Sequence, residues 1–184
     1  MGPIILRPSE RDRLDILGNA RIRSFAPIAD RRARVLILGS MPGRASLAAG
    51  RYYAHKQNAF WRIVCELLGL DPASPYGKRV QALKAARIAV WDVLKSCERQ
   101  GSMDAMIARD TEIANNFAAF FRNHRDISHV FFNGAKAASS FDRNVLPVLG
   151  TRTLRYIRLP STSPANASLP YERKRRAWRM ILKT

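Results

Sequence analysis

Chemistry in this chain can rest on four polar loops, each of which follows a short apolar run. Val35-Leu36-Ile37-Leu38 leads into Gly39-Ser40-Met41-Pro42-Gly43, then Ser46, then Tyr52-Tyr53-Ala54-His55-Lys56-Gln57-Asn58. Ile88-Ala89-Val90-Trp91 leads into Asp92, and Val130-Phe131-Phe132 into Asn133-Gly134. Tyr156-Ile157-Arg158-Leu159 leads into Pro160-Ser161-Thr162-Ser163-Pro164-Ala165-Asn166-Ala167. Amides, hydroxyls, one carboxylate and glycine backbone gathered at one place make a site for a polar ligand. The glycine loop lacks the Lys-Ser/Thr of a phosphate-binding P-loop and the third glycine of a dinucleotide fingerprint, so nucleotide cofactors are not indicated. His55 alone is not a metal site. Cys65 and Cys97, without CxxC spacing, build neither a zinc ribbon nor an iron–sulfur cluster.

Each loop taken singly has an ordinary reading. Gly39 to Gly43 is also what a tight turn after a strand looks like. Asp92 is also a helix-capping carboxylate, Asn133 before Gly134 a turn residue, and the Ser/Thr/Pro run a solvated connection. Their joint placement is what argues for a site. In open α/β sheets, ligands bind outside the carboxyl ends of the strands, and all four loops fall there.

The elements that position these loops are legible from periodicity. The four apolar runs have the length and the β-branched and aromatic content of strands buried in a sheet. Between them, Phe60, Ile63, Val64, Leu67 and Leu68 fall at helical spacing, with Gly69 as the stop. Ile113, Phe117, Phe120 and Phe121 are expected to form another helix. Trp178, Ile181 and Leu182 mark a final one, whose other face carries Arg173, Lys174, Arg175, Arg176 and Arg179. Strands alternating with helices predict βαβ units and a mostly parallel sheet covered on both faces. Residues 1–23 are expected to be an arm or leading helix, and residues 24–184 one domain.

The chain has 184 residues, with 32 Lys+Arg against 14 Asp+Glu and a net charge of +18. That length suits one domain of ~100–200 residues. A hydrophobic content of 47 % supplies a core and excludes wholesale disorder. The charge speaks of partners rather than fold. A polyanion fits, nucleic acid first, because Lys/Arg contacts to phosphate release counterions. No apolar run approaches the ~18–20 residues of a bilayer span, and residues 1–24 show no signal-peptide core, so a reducing cytosol is expected and no membrane.

Read in order, LILGSMPGRASL, YYAHKQNAFW, AVWDVLKSCERQGSMD, FFNGAKA and LPSTSPANA resemble the uracil-DNA glycosylase superfamily. Within it they resemble most the sixth family, the hypoxanthine-DNA glycosylases, near the mismatch-specific thymine/uracil branch. The resemblance runs from about Ser24 to the final helix. It implies a three-layer α/β/α sandwich around a four-stranded, mostly parallel sheet. It also implies a monofunctional hydrolase that cuts the N-glycosidic bond of a deaminated base in DNA, hypoxanthine before uracil. No metal or organic cofactor is implied; a monomer is the default, in a cytoplasmic, nucleoid-associated setting.

Two positions depart from the pattern. The mismatch-specific branch carries Asn two positions after the first glycine, where this chain has Met41. In the hypoxanthine family the catalytic Asn lies in a downstream HPxN stretch, which maps onto Asn58, with Lys56 in place of the proline. By resemblance, Asn58 holds the attacking water and Tyr53 stacks on a flipped base. Backbone around Gly39, Ser40 and Met41 meets the leaving base. Asp92 and Asn133 read the base edge. Asp92, when ionised, accepts from an N1–H or N3–H and disfavours adenine, and burial of Asp92 would add a part in water activation. Ser46, His55, Ser161, Thr162, Ser163, Arg173 and Arg176 contact DNA. Ala165 and Asn166 form the tip that enters the duplex, which carries no leucine wedge unless Leu169 serves. Two other classes stay open: a damage reader that no longer cuts, favoured by Met41, and a basic RNA- or nucleoid-binding protein, which leaves the four loops unexplained.

Overall fold

The computed structural model describes residues 21–150 and 152–184; residues 1–20, most of the expected arm, lie outside the described residues. Arg21–Arg23, its last three residues, form strand β1. The four apolar runs are strands: β2 (Val35–Gly39), β3 (Ile88–Asp92), β6 (His129–Asn133) and β7 (Arg155–Leu159). They form one parallel sheet in the order β3-β2-β6-β7. β2 and β3 are buried at every residue, as strands covered on both faces must be.

A second, three-stranded antiparallel sheet was not anticipated from the sequence. It has the order β1-β4-β5, with β4 spanning Leu94–Glu98 and β5 Ile113–Ala114. Only Val93 separates β3 from β4, so the chain passes from one sheet directly into the other. At its centre the outer edge of β3 is covered by Ile28, which exchanges two backbone hydrogen bonds with Val90.

Among the described residues six α-helices flank the parallel sheet: α1 (Arg44–Ala49), α2 (Phe60–Leu67), α3 (Tyr76–Ala85), α4 (Phe117–Asn123), α5 (Ala135–Asn144) and α6 (Tyr171–Trp178). One ring cluster joins Trp91 and Phe132 of the sheet to Phe117 of α4 and Phe141 of α5. A second sets Phe60 of α2 edge-on to Trp178 of α6 at 5.7 Å. Fully burying side chains of this size contributes ~1.5–3 kcal/mol each. α2 stops at Gly69, as expected. Gly69 N–H and Leu70 N–H bond back to the carbonyls of Glu66 and Cys65, and the glycine takes the left-handed conformation at φ 68°.

The expected helix beginning at Ile113 is corrected. Ile113 lies in β5, half exposed, and α4 begins only after Asn116. The reason lies in two consecutive asparagines that spend their side chains on backbone. Asn116 Oδ1 caps α4 by accepting from Ala119 N–H, and Asn115 Nδ2 donates to the carbonyl of Asp92.

Between β5 and α5 lies an enclosed carboxylate. The Glu112 side chain is completely buried and accepts hydrogen bonds from Lys136, Arg143 and Asn144 on α5. Burial pushes its pKa up, but the bonds from Lys136 and Asn144 prevail and hold it below the ordinary glutamate value. Removing one partner of such a network strands the others. Glu112→Ala is therefore expected to destabilise by about 3 kcal/mol, ~6–12 °C in Tm. Thermal melts check this; a change within ~0.5 kcal/mol would mean the cluster behaves as a surface pair.

Candidate active site

Gly39, Asp92 and Asn133 are the last residues of β2, β3 and β6, so the sheet delivers them to one edge. There a cleft of about 840 Å³ opens, lined from all four strand ends. Gly39 pairs with Asp92 in register, and the N–H groups of Val93 and Leu94 donate to the carbonyls of Gly39 and Ser40. A side chain at residue 39 has no room: its Cβ would lie 2.4 Å from Asp92 Oδ1 and 3.1 Å from the Tyr53 hydroxyl. The glycine is thus required because a carboxyl and a phenol converge above it.

Asp92 is 3 % exposed, and its Oδ2 has no hydrogen-bond partner among the described residues. Burial raises its pKa to about 8, with the charge of Asp104 adding to the rise and Arg99 opposing it. Near neutral pH the side chain is a carboxylic acid, able to donate as well as accept. The expectation of an ionised, acceptor-only group is corrected on this point. Asp104 belongs to the loop after β4; its Oδ2 accepts from Ser40 Oγ at 2.6 Å. Arg99 is buried beside it and donates to the carbonyls of Pro42 and Gly101.

Tyr53 adopts φ 54°, a left-handed conformation rare outside glycine. Its ring stacks on Phe60 at 3.8 Å and lines the cleft. Its hydroxyl is enclosed near Asn133 but without hydrogen-bond geometry, and burial followed by the Asp92 charge pushes its pKa up. Asn58 lines the same cleft. One lone pair of its Oδ1 accepts from Phe60 N–H at 3.0 Å, holding the amide at the start of α2. The second lone pair and the amide N–H groups remain for a water.

The Ser/Thr loop is fixed by four residues, and this corrects one expected role. Asn133 donates from Nδ2 to Thr162 Oγ1 at 2.9 Å and accepts from Thr162 N–H at 2.8 Å. Thr162 is 1 % exposed, and its carbonyl accepts from Ala59 N–H. Its hydroxyl is turned inward and is no phosphate ligand, while Asn133, which lines the cleft, gives the loop one N–H and one lone pair and keeps a second of each. Trp178 Nε1 donates to Pro160 O at the loop's start. Lys174 Nζ donates to Asn166 O at 2.6 Å near its end. Lys174, counted above with the outward basic face, is buried. Gly134 at φ 97° lets the loop close in, since a Cβ there would meet Ser161 Cβ at 2.8 Å.

The remaining expected residues divide. Met41, His55, Ser161, Ser163, Ala165 and Asn166 line the cleft. Ser46 lines it too, though it is buried and accepts from Ala54 N–H, which ties it to the Tyr53 loop. Arg173 and Arg176 are exposed on α6. Sequence reasoning assigned no role to Ser102, Met103, Asp104, Lys136 or Arg158, which also line the cleft. The first three stood in the quoted AVWDVLKSCERQGSMD stretch, where an acid two residues after a Gly-Ser pair was the available signal. Among the described residues no three His, Cys, Asp or Glu side chains gather as a cation site. None of the described helices is long and apolar enough to cross a membrane.

A parallel sheet whose strand ends enclose a polar cleft beneath a pinned Ser/Thr/Pro loop is the setting of one enzyme class. The family model of the uracil DNA glycosylase superfamily matches residues 26–182, and the chain belongs to that superfamily. It is similar to a hypoxanthine DNA glycosylase of Methanosarcina barkeri, 39 % identical over 116 residues, which cover 62 % of this chain and 72 % of that protein. A hypoxanthine DNA glycosylase of Methanosarcina acetivorans is 36 % identical over 145 residues, or 78 % and 87 % of the two chains. The solution NMR structure of a candidate uracil DNA glycosylase from Methanosarcina acetivorans superimposes with a TM-score of 0.72 at 30 % identity, over 88 % of this chain and 98 % of that one.

The buried acid carries a stability signature. With its pKa raised from 3.8 to about 8 on folding, Asp92 holds a proton more tightly in the folded chain. Its contribution is fully present below pH 3.8 and declines as pH rises toward 8. Asp92→Asn removes that decline. The variant should match or exceed the parent in Tm, with an advantage that grows from pH 4 to 8 and reaches ~2–4 °C or more. Melting curves across that range check it; a parent whose stability rises with pH relative to the variant would mean an ionised, paired Asp92.

Proposed function

We propose that this protein is a monofunctional DNA glycosylase that excises hypoxanthine, with uracil the second substrate, acting as a monomer on DNA that carries deaminated bases. The observation that carries the reading is the buried carboxyl of Asp92, whose Oδ1 converges with the enclosed Tyr53 hydroxyl above Gly39 and whose Oδ2 is unbonded among the described residues; its raised pKa keeps it a carboxylic acid near neutral pH. A carboxylic acid pairs with a lactam edge through two hydrogen bonds. Its O–H donates to the base oxygen and its C=O accepts from the adjacent N–H. Deamination creates that edge in hypoxanthine and in uracil. The names of the two Methanosarcina relatives support the purine.

The chemistry needs the base out of the stack, which costs a few kcal/mol and is easiest at a mispair. Tyr53, backed by Phe60, offers its ring to the flipped base, and such stacking contributes ~1–3 kcal/mol. Breaking the C1′–N bond leaves positive charge on the sugar and negative charge on the base. The charge on the base collects at the lactam oxygen, where the Asp92 O–H bond grows stronger in the transition state than in the bound substrate. Asn58 positions the water that adds to C1′. An amide is no base at pH 7, so its part is orientation. Exposed Arg173 and Arg176, with His55 and the hydroxyls of Ser161 and Ser163, supply contacts to the backbone phosphates.

Single-turnover rates on duplexes containing one hypoxanthine or one uracil test this. The rate should be constant at neutral pH and fall about tenfold per pH unit above ~8, as Asp92 loses its proton. Asp92→Asn keeps a donor and an acceptor and should lack that limb. Asn58→Ala should lower the rate by roughly 10²–10³ while leaving binding within a few-fold. A rate that rises through pH 8 would make Asp92 a base instead of a donor. Tight binding of damaged duplex without release of any base would make the protein a damage reader.

A further inference from the structure

Extruding a base leaves a hole in the duplex, and unless something apolar occupies it the base falls back. Proteins that unstack DNA fill such gaps with Phe, Leu, Ile, Met or Pro. In the Ser161–Ala167 loop the one residue of that set is Pro164, half-buried and stiff, which forms part of the cleft wall. Ala165 and Ala167 are small, Asn166 spends its amide on Ser161 O, and Leu169 is partly buried. The loop is also held by Asn133, Lys174 and Trp178, so it cannot lengthen its reach.

The opposite wall differs. The loop from Gln100 to Ile107 leaves the second sheet and borders the cleft beside Ser40 and Pro42, on the β2 side, whereas the Ser/Thr loop stands on β7. Among the described residues lining the cleft, Met103 is the one large apolar side chain exposed to solvent, at 58 %. It stands at the apex of a braced arch. Below it, Arg99 donates to the carbonyls of Gly101 and Pro42 and bridges to Ile107. Beyond it, Asp104 is hydrogen-bonded to Ser40, the Met103 carbonyl accepts from Met106 N–H, and Ile107 is buried. Backbone on both sides is thus anchored while the thioether projects outward. An unbranched thioether adapts to an irregular gap better than a branched side chain does.

We propose that Met103 is the wedge of this enzyme, entering the base stack from the β2 side of the cleft to hold the lesion extruded. The inference rests on the glycosylase reading above. It assigns the filling of the gap to the loop after β4 and leaves the Ser/Thr loop as a backbone clamp. Single-stranded DNA has no opposing stack to fill, so the wedge acts on duplex alone.

The test is single-turnover base release from one hypoxanthine-containing oligonucleotide, as single strand and as duplex. Met103→Ala should lose at least ~10-fold on duplex and stay within twofold on single strand, and Met103→Leu should recover most of the duplex rate. Met106→Ala, on the same loop but outside the cleft, should match the parent on both. Equal loss on the two substrates, or no loss on duplex, overturns the wedge. Fluorescence of a 2-aminopurine beside a stable abasic analogue separates this from the chemistry. If the parent releases no base, the glycosylase reading fails. Unstacking that raises fluorescence with the parent and not with Met103→Ala still supports the wedge, and equal fluorescence with both overturns it.

Discussion

The pairing of Gly39 with Asp92 at the open end of the parallel sheet governs the rest of the site. Because the chain passes from β3 to β4 with only Val93 between, Asp92 stands at a junction of two sheets. The amides of Val93 and Leu94 tie that junction to the backbone of Gly39 and Ser40. The carboxyl so placed is buried, and its Oδ2 has no hydrogen-bond partner among the described residues. It answers by holding its proton, as desolvation demands of an unpaired acid. Asp104 and Arg99 then take up the charge that the site does carry, one bonded to Ser40 and the other to the carbonyl of Pro42. A loop that looks from sequence like a simple glycine turn is therefore the meeting point of three elements.

The second constraint is the amount of hydrogen bonding invested in one short loop. Thr162 has its N–H, its carbonyl and its hydroxyl all engaged, two of them by the single side chain of Asn133. α6 contributes from the other side through Trp178 and Lys174. The lysine is buried against a carbonyl, where desolvation lowers its pKa. Polar groups enclosed in this way are costly unless each finds a partner, and here the partners come from β6, α2 and α6 at once. The active-site edge is thus stiff at β7 and braced at β2, with the cleft between.

The parallel sheet was legible because its strands are continuous apolar runs, and a run of that kind has few other uses. The second sheet was not: Leu94-Lys95-Ser96-Cys97-Glu98 mixes exposed and buried positions and is defined only by its partners on either side. Ile113 carried a helical spacing to Phe117 by coincidence, and the capping Asn116 between them was the better guide. At the site, the polar loops and their clustering could be read in advance. What could not be read was which polar atoms are spent on each other. Asn133 and Thr162 are 29 residues apart, and nothing local announces that they meet. The protonation of Asp92 is likewise a property of its enclosure, and Lys174 looks like its basic neighbours until α6 is docked.

The tie between Lys174 and Asn166 makes the final helix and the Ser/Thr loop one solid piece. Exposed Arg173 and Arg176 stand on the same helix, so their spacing from the loop is set before any DNA arrives. A clamp of fixed span does not mould itself to a duplex; the duplex must bend to it. In a glycosylase built this way the elastic work falls on the nucleic acid, and its stiffness becomes part of the selection. On the glycosylase reading proposed above, a lesion flanked by pliant pyrimidine–purine steps would cost less to engage than the same lesion within a rigid A-tract.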